Sequence, residues 1–176
     1  RDLNHKIRHD CVIECLDMRD NYAWLCYQNT LVFIYKKAIY DVLGDVVVEV
    51  NNSLNKGLFT IIKAPYTKED IDKIEKRMRE IIALKLPITK EYIEGIEHYT
   101  LDGYKALFYG LQMPDTSYIT HFELKKYRNG FLLRYPHITK VDENEIIDFE
   151  VKDISLDYKL KVGDLVEFRV EQKNRF

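Results

Sequence analysis

The side chains in this 176-residue sequence with chemistry to offer are five histidines, three cysteines, one acidic cluster and one basic cluster. The histidines (His5, His9, His98, His121, His137) are scattered. His5 and His9 stand four apart but flank the turn Arg8-His9-Asp10, so their spacing fits a solvated hairpin better than a metal pair. His121 alternates with Phe122 and reads as a rim residue of a strand. Cys11, Cys15 and Cys26 are odd in number and lack a C-x-x-C spacing, which suits reduced, buried thiols of a cytosolic protein rather than zinc ligands. Glu69, Asp70 and Asp72 fall in the first turn of an expected helix, where negative charge complements the macrodipole. Lys125, Lys126 and Arg128 with Tyr127 form a basic-aromatic patch near a hairpin tip, a composition that can bind RNA. Lys36 and Lys37 add two cations on one helix. No phosphate loop, no G-x-G-x-x-G, no G-x-S-x-G elbow and no kinase catalytic loop is present.

The composition sets the frame for these groups. Lysine and arginine (27) nearly balance aspartate and glutamate (29), giving a net charge of -2. The chain therefore lacks the overall basic excess of many nucleic-acid binders. Hydrophobic residues at 46% exclude a disordered chain. The length fits one domain or two small ones, with core enough to need no disulfide or metal. The longest apolar runs, Tyr22 to Tyr27 and Leu31 to Tyr35, are far too short to span a bilayer. The polar start shows no signal peptide, so a cytoplasmic location is expected, and Arg1 in place of an initiator Met suggests a fragment or a processed chain.

Local patterning predicts the elements that would position these residues. Residues 2–7 and 11–17 read as short strands. A helix is expected from about Thr30 to Leu43, capped by Asn29 or Thr30 and ended by Gly44. Strands at 45–50 and 58–64 flank a polar turn. Thr67 caps a helix over 68–85, with Asp70 in the capping-box position; Ile71, Ile74, Met78, Ile81 and Ile82 form its apolar stripe, and Lys85 suits its last turn. Further helices are expected at 90–98, capped by Thr89, and at 101–111. Strands at 118–127 and 131–135 should be joined by Asn129-Gly130. After Pro136 a polar, acidic stretch leads to strand-like runs at 146–152, 156–160 and 165–170. Residues 154–174 weakly echo residues 1–21. The fold class is α+β, an antiparallel sheet with about three helices and short hairpins at both ends.

The middle of the chain resembles a known family. The run YTKEDIDKIEKRMREIIALKLPI is similar to a segment of the second additional domain of threonyl- and alanyl-tRNA synthetases. SLNKGLFTII and ALFYGLQMPDTSYITHFELKKYRNGFLLRYP resemble the version of that domain at the N-terminus of bacterial uridine-kinase-family nucleoside kinases. LNHKIRHDCVIECLD resembles the last strands of a TGS domain. The resemblance covers about residues 1–136 and is most specific in 53–87 and 106–136. It implies a TGS-like end at 1–20, a second-additional-domain-like unit at 28–136, and a strand-rich tail at 145–176 that could complete the β-grasp.

The resemblance also implies a site and shows how this chain departs from it. Synthetase editing domains carry H-S-x-x-H at the first helix and C-x-x-x-H before a V-P-x-T. The matching positions here are Asn29, Phe33, Phe108 and Gln112. Phenylalanine has no lone pair for a metal and no proton to transfer. The kinase branch carries R-R-S-L at this helix, where this chain has Gln28-Asn29-Thr30-Leu31. The expected function is thus a non-catalytic accessory module of a nucleoside kinase. ATP and magnesium would then belong to a kinase domain elsewhere in the same polypeptide, and this chain would hold no metal or cofactor of its own. The alternatives are an RNA- or tRNA-binding module using Lys36, Lys37, Lys125, Lys126 and Arg128, or a residual aminoacyl-tRNA hydrolase. Whether the chain is itself an enzyme stays open at this point, as does a small ligand in the cleft; no membrane partner is expected.

Overall fold

The computed structural model describes residues 20–54 and 57–136, with Arg8, Asp10, Val12, Cys15, Leu16 and Met18 before them. Apart from those six positions, the expected N-terminal strands and TGS-like unit fall outside the described residues, as do His5, His9, Cys11 and everything after Pro136. Within the described residues the architecture is α+β, built from two α-helices and two antiparallel sheets.

Helix α1 (Asn21–Leu43) is the axis of this core. Asp20 caps it, accepting a 2.7 Å hydrogen bond from the Tyr22 N–H. Leu31, Phe33, Ile34, Tyr35 and Ala38 are all fully buried, so the helix is enclosed on nearly every side over residues 30–39, while Tyr22, Leu25 and Tyr40 nearer its ends are exposed. Such a helix shows no polar stripe. The polar pair Asn29-Thr30 therefore resembled an N-cap, although both residues lie well inside the helix. Gly44, at φ 83°, ends the helix as expected, its N–H donating to the Tyr40 carbonyl at 2.9 Å.

Helix α2 (Lys68–Ala83) carries the expected capping box. The Asp70 N–H donates to Thr67 Oγ1 at 3.2 Å, and the Thr67 N–H donates to Asp70 Oδ2 at 2.9 Å. The Thr67 N–H, together with the Thr67 hydroxyl, which donates to the same oxygen at 2.8 Å, holds the Asp70 carboxyl below its ordinary pKa. Ile74, Met78 and Ile81 are fully buried in the core that α2 shares with α1. The helix stops at Ala83, and Lys85 adopts a left-handed conformation (φ 52°) beyond it instead of closing the last turn.

The strands are β1 (Val48–Leu54), β2 (Gly57–Ile62), β3 (Ile88–Ile93), β4 (Ile96–Leu101), β5 (Tyr104–Leu107), β6 (Glu123–Tyr127) and β7 (Gly130–Arg134). They form a four-stranded sheet in the order β1-β2-β7-β6 and a three-stranded meander β3-β4-β5. The meander replaces the helices expected at 90–98 and 101–111. Its two loops, Glu94-Gly95 and Asp102-Gly103, have positive φ at both residues. That is the hairpin geometry which X-Gly pairs favour.

Two smaller corrections concern the second hairpin. Residues 116–118 form a 3-10 turn, and the strand expected from 118 starts at Glu123. Tyr127 pairs with Gly130, so the β6–β7 loop is Arg128-Asn129, one residue earlier than expected. Gly130 serves a different need. A Cβ there would lie 2.2 Å from the Thr60 carbonyl on β2, so the two strands can approach only at a glycine.

Candidate functional site

The four positions singled out by the resemblance come together where α1 meets residues 108–121. The Asn29 side chain donates from Nδ2 to the Leu111 carbonyl at 3.2 Å. One turn on, the Phe33 ring meets the Phe108 ring edge to face, with centroids 5.1 Å apart. Gln112 is 9% exposed, and among the described residues neither its Oε1 nor its Nε2 has a hydrogen-bond partner. Phe33 is fully buried. The region is a packed seam, held by an aromatic pair and the Asn29 amide.

Hydrogen bonds across long sequence separations fix this seam. Thr30 Oγ1 donates to the Cys26 carbonyl at 2.8 Å and accepts from the Met113 N–H at 2.8 Å. The Tyr27 hydroxyl donates to the His121 carbonyl at 2.6 Å and accepts from the His121 N–H at 3.0 Å. Burial pushes the Tyr27 hydroxyl pKa up. The Tyr99 hydroxyl, on β4, donates to the Gly110 carbonyl at 2.9 Å. Thr116, within the motif Pro114-Asp115-Thr116, donates from Oγ1 to the Ile81 carbonyl at 2.8 Å and accepts from the Leu86 N–H at 2.9 Å. Its position is explained by tying the loop to the end of α2, without any appeal to a reaction.

The five candidate cations divide by environment. Lys37 is 5% exposed and pairs with Asp41 at 2.6 Å and Asp102 at 3.6 Å. Arg77 of α2 joins the same two carboxylates at 2.8 and 3.8 Å. Lys37 is thus engaged in a charge network linking α1, α2 and the β4–β5 turn, and it offers no surface to a phosphate. Lys36 is half-buried, with its ammonium 5.4 Å from the Phe108 ring centroid. Burial lowers its pKa.

Lys126 and Arg128 are exposed. The Lys126 ammonium donates to the Tyr66 hydroxyl at 2.9 Å and lies 4.6 Å from the Phe131 centroid. The Arg128 guanidinium lies 5.3 Å from the Tyr127 centroid. Lys125 is half-buried on the same strand. β6 is an edge strand, so this basic-aromatic patch runs along an open rim of the larger sheet.

Other candidates settle as follows. His98 and His121 are exposed or at the rim, bonded to the Ile96 carbonyl and Thr120 Oγ1 respectively, both at 3.0 Å. Cys15, expected to be buried, is exposed; Cys26 is half-buried and its thiol pKa is pushed up by burial. Among the described residues no three His, Cys, Asp or Glu side chains gather closely enough to hold a metal ion, and no helix is long and apolar enough to cross a membrane. Sequence reading missed the cluster of Lys90, Glu97 and Tyr99 on the meander. There Lys90 pairs with Glu97 at 2.5 Å and lies over the Tyr92 and Tyr99 rings. Strand alternation would have placed Lys90 and Tyr92 on one face, had the segment not been read as a helix.

With this geometry in place, comparison with known proteins gives one consistent direction. No protein-family model matches the chain. Over 152 residues it is 27% identical to the threonine–tRNA ligase of Thermotoga petrophila, covering 70% of this chain and 24% of the relative. The corresponding enzyme of Rhodospirillum rubrum is 29% identical over 149 residues (78% and 22%). That of Thiobacillus denitrificans is 26% identical over 142 residues (78% and 22%). The chain is distantly homologous to part of threonine–tRNA ligases. It spans about a quarter of the length of the curated relatives it matches. These relatives are tRNA ligases, and the nucleoside-kinase resemblance finds no counterpart among them.

Proposed function

We propose that this chain is a tRNA-directed binding module of intracellular RNA metabolism, without a hydrolytic centre at the α1 seam. The observation that carries this reading is its homology to threonine–tRNA ligases over most of its length. The chemistry of the seam supports the second half of the proposal. Asn29, Phe33, Phe108 and Gln112 supply two amides and two hydrocarbon rings, which offer no general base and no proton donor of useful acidity. The exposed pair Lys126 and Arg128, beside Tyr66 and Tyr127, supports the first half. Cations backed by aromatic rings suit a phosphate backbone with adjacent bases.

The test is binding of unacylated tRNA, followed by fluorescence anisotropy as salt is raised. Affinity should fall linearly in log–log form with salt, as expected when phosphate contacts release counterions. The double variant Lys126→Ala/Arg128→Ala should bind about tenfold more weakly with a shallower salt slope. Salt-independent binding, or no binding, overturns the proposal. Deacylation of a charged tRNA by the purified chain would overturn its second half.

The motif resemblance in 53–62 and 106–136 favours a second reading, an accessory module of a uridine-kinase-like nucleoside kinase. A phosphate loop encoded downstream in the same gene would support that reading, and a ligase catalytic domain there would end it.

A further inference from the structure

A pocket of about 100 Å³ lies at the C-terminal end of α1; it borders the seam, but none of Asn29, Phe33, Phe108 and Gln112 lines it. Lys36, Tyr40, Asp45, Val46, Val48 and Tyr104 contribute to its wall. The Tyr40 and Tyr104 rings stand 5.1 Å apart and form one side. A void of this size holds several water-sized groups.

The charges on the wall are opposite in sign and unpaired with each other. Lys36 has no carboxylate within ion-pair distance among the described residues; its neighbour is the Phe108 ring. Asp45 likewise has no cationic partner there, and its negative charge helps burial to raise the Tyr104 hydroxyl pKa. The end of α1 at Leu43 adds its partial negative charge on the Asp45 side. The pocket therefore has a cationic wall at Lys36 and an anionic wall at Asp45 and the helix end. A dianion such as phosphate would meet Asp45 and the helix end unfavourably. A simple cation would meet Lys36. A compact molecule carrying both charges satisfies both walls, and the two tyrosine rings enclose a short side chain.

We propose that this pocket binds a small zwitterionic amino acid, its carboxylate on Lys36 and its ammonium on Asp45 and the carbonyl end of α1. The partly desolvated Lys36 amine supports this, because a carboxylate ligand would restore the charge stabilisation that burial removes. The proposal is independent of tRNA binding, which rests on Lys126 and Arg128.

The experiment is titration of the ¹⁵N-labelled chain with alanine and serine, and separately with acetate and methylammonium, following the amide signals of Gly44, Asp45 and Val46. Alanine or serine should shift these signals saturably, and each singly charged probe should bind about tenfold more weakly or worse. Lys36→Met and Asp45→Asn should each weaken alanine binding by about tenfold. Asp45 is exposed, so Asp45→Asn keeps the test decisive even where Lys36→Met fails to fold. Acetate binding as tight as alanine, no saturable shift with any probe, or full binding by Asp45→Asn would each overturn the proposal.

Discussion

The seam between α1 and residues 108–121 and the rim of β6 are built from similar residue types, yet they work in opposite ways. In the seam, Tyr27, Asn29 and Thr30 direct their polar atoms at backbone groups more than 80 residues away. On the rim, Lys126 and Arg128 lie on aromatic rings with their charges facing water. Polar groups whose partners lie within the fold hold it together. Charges supported by rings and, among the described residues, not neutralised by carboxylates remain available to an anionic partner. Lys37 and Lys126, both candidate RNA contacts in the sequence, are separated by this criterion.

Four measurements sharpen or break the contrast. The largest effect is expected from Phe33→Ala, which empties a fully buried site against Phe108 and Tyr104. Denaturant unfolding should show a loss of about 3–5 kcal/mol. A loss below about 1 kcal/mol would mean the seam is not tightly packed.

Next comes alkaline pH. Burial pushes the Tyr35 hydroxyl up to about 12, against its hydrogen bond with Thr60. A phenol whose pKa is raised on folding contributes stability that is intact below the unfolded value near pH 10. That stability is lost as pH rises through about 12. The loss across this window should be about 2–3 kcal/mol. Tyr35→Phe should be less stable at pH 7 by about 1 kcal/mol but should show a flatter alkaline limb.

Gln112→Leu should do the reverse of most core substitutions. It removes a buried amide without partners among the described residues, so stability should rise by about 1 kcal/mol. A loss instead would show that the amide is satisfied in solution. The smallest stability effect belongs to Lys126→Met, within about 0.5 kcal/mol. Its consequence should be confined to tRNA affinity, and a large stability loss there would erase the distinction between rim and seam.

The contrast also explains which parts of the molecule could be read from its sequence. Helix α2 was legible because its stripe and capping box are local and amphipathic. The α+β class was legible in the mixture of helical and strand patterning, and the resemblance singled out Asn29, Phe33, Phe108 and Gln112, which lie together in the seam. The first turns of α1 were not legible, because Asn29-Thr30 mimics a cap while bonding to residues 111–113. The meander was lost although it carries Glu94-Gly95 and Asp102-Gly103; an apolar spacing compatible with either period outweighed the turn pairs. The expected Asn129-Gly130 turn was displaced by a long-range demand, the contact of Gly130 with Thr60 on β2. The burial of Lys37 in an ion-pair network depends on Arg77 and Asp102 from other elements, and no local window contains that information.

The order β1-β2-β7-β6 has a consequence for synthesis. β2 is made early, but its inner neighbour is β7, about 70 residues later in the chain. Until residues 131–134 have left the ribosome, the nascent chain carries a hairpin of β1 and β2 with one flank open to any passing strand. Arrest of translation between these segments would expose that flank for as long as the pause lasts.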